Sequence, residues 1–280
     1  PDWDAIQGLA FGQGSIPYES LCSEKPMPNQ LYKFRMEKNG QHTNICARYD
    51  DKSRKIVLVK ARYAYGISPR NDEQKFALDA CLNRDIQLVS LTGGAGTGKT
   101  LLALAAALEQ ERDFEQIILS RPTVILGNQD IGFLPGDQKS KMGPFVQPLL
   151  DNLNVIKDAV RPGSKQAGKI EEMIKSEKLL ISPLAYIRGR SLGRVYFIVD
   201  EAQNLTPHEI KTIITRAGEH TKIVFTGDIF QIDQPYLDMY SNGLTHLGEK
   251  MAGQPLFEHV NLTKGERSEL SEVASRLLGR

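Results

Sequence analysis

The sequence predicts an α/β protein in which one parallel sheet is covered by helices and preceded by a small β module. Two observations support this fold class. From Gly66 onward, short apolar segments alternate with helical stretches, which is the pattern of β/α units. A glycine-rich loop at 93–100 also joins one apolar segment to a helix rich in alanine and leucine. We therefore expect residues 1–65 to form a linker and a small β module, and residues 66–280 to form the α/β domain.

The first 65 residues are expected to lack a core of their own. Residues 1–30 are rich in glycine and proline and predict an irregular arm. Alternating residues then predict strands at Leu31–Phe34, Asn44–Tyr49 and Lys55–Val59, the last two forming a hairpin. Because three short strands bury little surface, this module should pack against the α/β domain.

Six parallel strands are expected in the α/β domain, each a short apolar run typical of a buried strand. Ligands bind at the carboxyl ends of the strands in such a sheet, so the polar residues after each strand are candidate site residues. The predicted strands are Gln87–Thr92, Gln116–Ser120, Lys178–Ser182, Val195–Val199, Lys222–Thr226 and Phe257–Leu262.

Net charge, cysteine spacing and the length of apolar runs limit the kinds of partner and compartment that we expect for this protein. The formal net charge is +1, so any nucleic-acid site must be a local patch. The three cysteines, Cys22, Cys46 and Cys81, have no metal-binding spacing and indicate a reducing compartment, the cytoplasm. No apolar run approaches the ~18 residues of a membrane span, and no membrane partner is expected. The start at Pro1, without a methionine, suggests a fragment of a longer protein.

The glycine-rich loop fits the phosphate-loop pattern G-x4-G-K-[ST]. Its backbone N–H groups and the start of the following helix would converge on the phosphates of a nucleoside triphosphate. Lys99 would reach the β- and γ-phosphates, and the Thr100 hydroxyl would ligate Mg²⁺. The predicted nucleotide contacts in this segment are Gly93, Gly94, Ala95, Gly96, Thr97, Gly98, Lys99, Thr100 and Leu101.

Two adjacent carboxylates, Asp200 and Glu201, follow the apolar run Val195–Val199. Asp200 at the tip of this strand is expected to hold the Mg²⁺ water shell beside Thr100. Glu201 is expected to orient or deprotonate the attacking water. A carboxylate directed at water favours hydrolysis over transfer to another acceptor.

Two glutamines complete the predicted nucleotide site. Gln231, after the strand Lys222–Thr226, is expected to sense the γ-phosphate, while nearby Asp228 is either a supporting carboxylate or part of a plain turn. The amide of Gln74 both donates and accepts, which suits the edge of an adenine ring, and Asn71 is assigned to the same contact. Alternatively, Asn71 simply caps the helix that follows.

Taken together and in this order, these motifs resemble the PhoH family of ATPases. The resemblance covers about residues 66–280 and implies a single RecA-like P-loop NTPase core, related to superfamily 1 helicases, that uses ATP and Mg²⁺. The matching segments are 71–74, 93–100, 200–204 and 227–231, with further matches at 186–190 and 242–270.

In one branch of this family the ATPase domain follows a PIN nuclease domain, and those proteins are described as ATP-dependent RNA helicases and ribonucleases. The resemblance therefore implies single-stranded RNA as a partner, a homohexameric ring, and an upstream PIN nuclease domain in the full-length protein. Because the 280 residues include no PIN domain, nuclease activity is not assigned to them.

An RNA surface is expected near residues 157–194, which hold nine basic and four acidic side chains. The predicted RNA contacts are Arg121, Arg188 and Arg190, with Tyr186 close enough to stack on a base. A helix with a solvated basic face is the alternative. Some of these arginines could instead serve the nucleotide of a neighbouring subunit.

Arg267 is the predicted arginine finger, acting on the nucleotide of a neighbouring subunit because one RecA-like core offers no second domain to supply it. Head-to-tail packing would then close a ring. Alternatively, Arg267 is a surface residue paired with Glu266 or Glu269.

Three functions remain open from the sequence. The leading interpretation is an ATP-driven motor that moves along or unwinds single-stranded RNA. The second is an ATP-gated RNA-binding module that changes affinity without unwinding. A small-molecule kinase is the third, although such an enzyme has less need of Glu201 and Gln231 in the roles given above.

Overall fold

A computed structural model describes residues 3–38, 41–122, 138–160, 164–187 and 192–265, which form two sheets. The elements of the first part are α1 (Trp3–Phe11), β1 (Ser15–Pro17), β2 (Leu31–Lys38), β3 (Gln41–Asp50) and β4 (Lys55–Leu58). The second part consists of α2 (Asp72–Leu82), β5 (Leu88–Gly93), α3 (Lys99–Glu109), β6 (Gln116–Arg121), α4 (Gln138–Ala159), α5 (Lys165–Lys175), β7 (Leu179–Pro183), β8 (Val195–Val199), α6 (Pro207–Ile214), β9 (Lys222–Gly227), α7 (Gly243–Met251) and β10 (Phe257–Leu262).

The larger sheet is parallel, with the strand order β10-β5-β9-β8-β6-β7. All six predicted strands are present, with ends that differ by one residue at most. The α/β fold class with a parallel sheet is therefore confirmed. Its apolar runs are continuous because both faces of the sheet are covered by helices.

Alternate residues of each central strand enter two separate cores. In β8, Tyr196 and Ile198 pack on the side of α2, α3, α4 and α5, whereas Phe197 and Val199 pack on the side of α6 and α7. The run of alanines in α3 is completely buried in the first of these cores. Small side chains let this helix lie close to the sheet, which brings the phosphate loop before it to the edge of β5.

The first part is more ordered than the sequence suggested. Where an irregular arm was expected, α1 and β1 form, and the smaller sheet is antiparallel with the order β1-β4-β3-β2. Ile6 and Leu9, one helical turn apart, are fully buried in a small core with Tyr49 and Ile56. The expectation of a module without its own core was therefore wrong, because it counted the strands and missed the helix that covers them.

This module also contacts the α/β part. The Asn29 amide donates to the carbonyl of Phe257 at 2.9 Å, and Arg48 pairs with Asp79 of α2 at 3.5 Å. Glu258 of β10 is almost fully buried beside this contact, and its Oε2 atom lies 3.9 Å from the Arg48 Nε atom. Within the part of the chain that the structure describes, neither carboxylate oxygen of Glu258 has a hydrogen-bond partner, and burial raises its pKa to about 8.

Among the described residues, no helix combines the length and apolar character that crossing a membrane would need.

Candidate active site

A cavity of about 720 Å³ opens at the carboxyl ends of the central strands. The phosphate loop after β5 lies on one side of it, and residues after β8 and β9 lie on the other. Its size is in the usual range for small-molecule sites. Side chains that are far apart in sequence meet there, among them Gln74, Lys99, Thr100, Arg121, Asp200, Glu201, Asp228 and Gln231.

The phosphate loop curls tightly between β5 and α3. Gly98, which precedes α3, has a left-handed backbone with φ of 90°. At Gly93, φ is 144° and a Cβ atom would come within 2.1 Å of the Leu262 carbonyl oxygen, so only glycine fits beside β10. The Lys99 ammonium lies across the loop and donates to the carbonyls of Gly93 at 2.7 Å and Gly94 at 2.8 Å. A buried cation is thus held at the start of α3.

Thr100 and Asp200 are in direct contact although 100 positions separate them. The Thr100 hydroxyl donates to Asp200 Oδ1 at 2.6 Å, and the Thr226 hydroxyl donates to the same oxygen at 2.6 Å. The Asp200 backbone N–H is fixed by the Ser120 carbonyl of β6 at 2.8 Å. A hydroxyl and a carboxylate are hard oxygen ligands of the kind that Mg²⁺ prefers.

A magnesium ion fits this pair of side chains. Among the described residues, no group of three or more His, Cys, Asp or Glu side chains could hold a metal by itself. Mg²⁺ commonly binds through one or two protein oxygens and completes its shell with phosphate and water, so the Thr100 hydroxyl and the Asp200 carboxylate suit it.

Glu201 is held at both carboxylate oxygens. Its Oε1 atom pairs with Arg121 Nη2 at 2.8 Å, and its Oε2 atom accepts from Gln203 Nε2 at 2.5 Å. Its backbone is left-handed, with φ of 54°, which is uncommon for a residue that carries a Cβ atom. Burial, and then the charge of Asp200, raise the pKa of Glu201, while Gln203, Arg121 and Lys99 oppose that rise. The carboxylate is therefore more basic than a solvated one.

Gln203 is a site residue to which sequence reasoning gave no role. It is fully buried, and its amide nitrogen donates both to Glu201 and to the Gln231 carbonyl at 2.8 Å. Its Oε1 atom accepts from the Asp228 N–H at 3.2 Å. A Cβ atom on Gly227 would lie 2.4 Å from that oxygen, so a larger residue there would displace the Gln203 amide. In the sequence, only its position two residues after Glu201 pointed to Gln203. The contacts of its side chain became evident only from the fold.

The segment before α2 closes the other side of the cavity. Asn71 caps α2 by accepting from the Gln74 N–H at 2.9 Å, which matches the capping alternative. Gln74 accepts from the Arg70 N–H at 2.9 Å and donates to the Thr97 carbonyl at 3.1 Å. The amide oxygen of Gln74 accepts the first of these hydrogen bonds, and its amide nitrogen donates the second. Gln74 thus joins this segment to the phosphate loop, and the adenine contact of Gln74 and Asn71 stays a prediction.

The neighbouring residue, Glu73, anchors the end of the last strand. Its two carboxylate oxygens accept from the Thr263 N–H at 2.7 Å, the Thr263 hydroxyl at 2.6 Å and the Lys264 N–H at 3.0 Å. Partial burial alone would raise its pKa, but these hydrogen bonds hold the pKa of Glu73 below its usual value. It therefore remains ionised at neutral pH.

The remaining predicted residues have different outcomes. Gln231 borders the cavity, and its sensing of a γ-phosphate stays a prediction. Asp228 accepts from the Phe230 N–H at 3.0 Å, as in a local turn, and also borders the cavity. Arg121 lies in this cavity against Glu201, and its contact with RNA stays a prediction. The predicted residues that lie outside the described part of the chain are Arg188, Arg190 and Arg267.

Comparison with known proteins gives consistent matches. The family described as "PhoH-like protein" matches residues 66–276. Protein PhoH2 of Bacillus subtilis (strain 168) is 42% identical over 272 residues, which are 96% of this chain and 60% of that protein. Protein PhoH2 of Mycolicibacterium smegmatis is 36% identical over 230 residues, 81% of this chain and 51% of that protein. The chain thus spans less than two thirds of the length of these relatives.

A PhoH-like protein of Synechocystis sp. is 38% identical over 229 residues, 81% of this chain and 65% of that protein. Among solved structures, the crystal structure of Pif1 helicase from Candida albicans has a TM-score of 0.38 and 14% identity, and the match covers 76% of this chain and 44% of that one.

Proposed function

This chain belongs to the PhoH family, and from that premise we propose that it is an ATP hydrolase whose cycle is coupled to single-stranded RNA. The observation that carries the proposal is the meeting of four side chains at one edge of the sheet. Lys99 and Thr100 of the phosphate loop face Asp200 and Glu201 after β8. These are the cation, the two metal ligands and the base that hydrolysis of a nucleoside triphosphate needs.

ATP binding would use the phosphate loop. The N–H groups at the start of α3 and the Lys99 ammonium would take the β- and γ-phosphate oxygens, in exchange for the carbonyls that Lys99 now contacts. Thr100 and Asp200 would hold Mg²⁺, which neutralises phosphate charge when bound. Gln74 and the residues before α2 border the same cavity and would face the base.

Hydrolysis would use Glu201 as the proton acceptor. A water oxygen attacks the γ-phosphorus, the bond from that phosphorus to the bridging oxygen breaks, and ADP leaves with the electron pair. The proton of the water passes to Glu201, whose basicity is raised by its partly buried position, and inorganic phosphate is the second product. Gln231 would orient the water or the γ-phosphate. Asp200 is a poorer choice of base because, with Thr100, it would hold Mg²⁺.

RNA binding is supported by the charge of the segment that contains β7. Residues 157–194 hold nine basic side chains against four acidic ones, in a chain whose net charge is +1. A single-strand groove needs such a local excess. We extend the proposal to Arg188 and Arg190 as RNA contacts and to a homohexameric ring in which Arg267 completes the neighbouring site. An upstream PIN nuclease domain in the full-length protein belongs to the same proposal.

Two assays test these proposals separately. Steady-state ATPase rates with and without RNA test hydrolysis and its coupling, and Lys99→Ala should abolish the activity because the γ-phosphate loses its fixed cation. Full activity in that variant would refute the assignment of the site. A strand-displacement assay then distinguishes an RNA motor from an ATP-gated RNA-binding module, since only the motor separates a duplex.

A further inference from the structure

The ion pair between Arg121 and Glu201 occupies the carboxylate that is proposed to act as the base. Arg121 Nη2 lies 2.8 Å from Glu201 Oε1 while Gln203 takes the other oxygen, so neither carboxylate oxygen is free of a partner. Opposite charges attract strongly at this distance, so the guanidinium restrains the carboxylate. In this arrangement Glu201 is restrained by one group that is buried, Gln203, and by one that is partly exposed, Arg121.

The position of β6 in the sheet gives Arg121 two neighbours of different kinds. β6 lies between β8, which precedes the acidic pair, and β7, which lies within the basic segment. The register pairs Ser120 with Val199 on one side and Arg121 with Pro183 on the other. Arg121 therefore stands at the carboxyl edge of the sheet, between the acidic pair after β8 and the end of β7.

The pair is accessible to a competing anion. The side chains of Arg121 and Glu201 are 26% and 31% exposed, so neither is sealed from solvent. A nucleic-acid phosphate also carries one negative charge on two oxygens, and a guanidinium pairs with it as readily as with a carboxylate. A nucleic-acid phosphate at this edge can therefore exchange with Glu201 for Arg121 without leaving the arginine unpaired.

We propose that Arg121 restrains Glu201 until a phosphate of single-stranded RNA takes the guanidinium, which frees Glu201 to act on water. This inference rests on the proposed function and adds the residue that couples RNA binding to hydrolysis. The hydrolytic step is the one given above, and Arg121 changes only when the carboxylate becomes available. Arg121 thus acts through Glu201 and is a positioning residue.

The test compares ATPase rates of the complete chain with and without a single-stranded oligouridylate. In the wild type, RNA should raise the rate. Arg121→Ala should hydrolyse ATP without RNA as fast as the wild type does with RNA, and added RNA should raise that rate no further. Arg121→Lys, which keeps the charge, should stay slow without RNA. Adding Glu201→Gln to the alanine variant should abolish its activity, because the released rate must still come from Glu201.

A matched control is Arg84→Ala. It removes an exposed arginine that lies outside the cavity and pairs with Asp113 at a distance of 2.6 Å. It should keep both the slow basal rate and the stimulation by RNA. Binding of a fluorescent ATP analogue verifies that each variant is folded.

Several results would overturn the inference. A fall of about 10³-fold in Arg121→Ala, with or without RNA, would mean that Arg121 acts on the transferred phosphate itself. An unchanged basal rate with stimulation intact would mean that the ion pair has no part in coupling. Wild-type hydrolysis that RNA does not raise would refute the switch and leave the ATPase standing, whereas a wild type that hydrolyses no ATP would refute the proposed function as well.

Discussion

Replacing Gln203 with alanine should slow hydrolysis strongly while leaving ATP binding nearly intact. The buried amide fixes Glu201 Oε2 at 2.5 Å, and it ties the β9 loop to the acidic pair through the Gln231 carbonyl at 2.8 Å and the Asp228 N–H at 3.2 Å. Without these bonds Glu201, the proposed base, keeps its chemistry but loses its orientation. The phosphate loop, which supplies the binding contacts, is not touched by Gln203 in any of these bonds.

The expected magnitudes follow from the hydrogen bonds that the substitution removes. A well-placed general base contributes about 10²–10⁴-fold, so misplacing it should lower kcat by about 10²-fold, with little change in KM. One buried backbone group, the Asp228 N–H, would be left without its partner at a cost of about 1–3 kcal/mol, whereas the carbonyl of the exposed residue Gln231 can bond to water. The free energy of unfolding should therefore fall by roughly 1–3 kcal/mol.

A second buried glutamine separates these two effects. Gln110 donates to the carbonyls of Cys81 at 3.0 Å and Ala106 at 3.0 Å, near the far end of α3 from the phosphate loop. Gln110→Ala should lose comparable stability in urea unfolding but keep its kcat. Gln203→Glu, similar in shape but repelling Glu201, should be slow as well. An unchanged kcat in Gln203→Ala, or an equal slowing in Gln110→Ala, would refute the reasoning.

Three further outcomes are expected. Glu201→Gln should bind ATP but hydrolyse it about 10²-fold more slowly or worse, because the amide cannot accept the proton of the water; filter binding detects the retained ATP, and a variant unable to bind it would give Glu201 a structural role. Changing Arg188 and Arg190 together to alanine should weaken RNA binding and flatten its salt dependence, and an unaltered slope would make them ordinary surface residues. Glu258→Gln should become increasingly stabilising as the pH rises from 5 to 8, which urea unfolding at both values measures. The folded wild type keeps the Glu258 proton up to about pH 8, whereas the unfolded chain releases it near pH ~4.3. The contribution of Glu258 to wild-type stability is therefore fully present below the lower of these two pKa values and decreases as the pH rises. A variant that is less stable at both values would mean that attraction to Arg48 outweighs the cost of burial.

The parallel sheet and the phosphate loop could be predicted because their signals are local. A run such as Val195–Val199 identifies a buried strand by itself, and the spacing of Gly93, Gly98 and Lys99 identifies the loop. The meeting of Thr100 with Asp200 could also be anticipated, because parallel strands end at a common edge.

Other contacts depend on how distant elements pack. The pairing of Arg121 with Glu201 required β6 and β8 to be neighbours, an order that strand patterns do not reveal. Gln203 looked like one more polar residue after a strand, and only the approach of β9 brings its amide the partners Asp228 and Gln231. The helix α1 was missed because nearby glycines and prolines outweighed the one-turn spacing of Ile6 and Leu9.

The first turn of α2 links the two ends of the α/β part of the chain. Glu73 accepts hydrogen bonds from the residues after the last strand, and its neighbour Gln74 donates one to the phosphate loop. Successive helical residues point about 100° apart, which is why adjacent positions can hold segments that lie on different sides. Inserting or deleting one residue here would turn both side chains away from their targets at once. A single helical turn thus fixes the register of two anchors, one on the phosphate loop and one after the last strand.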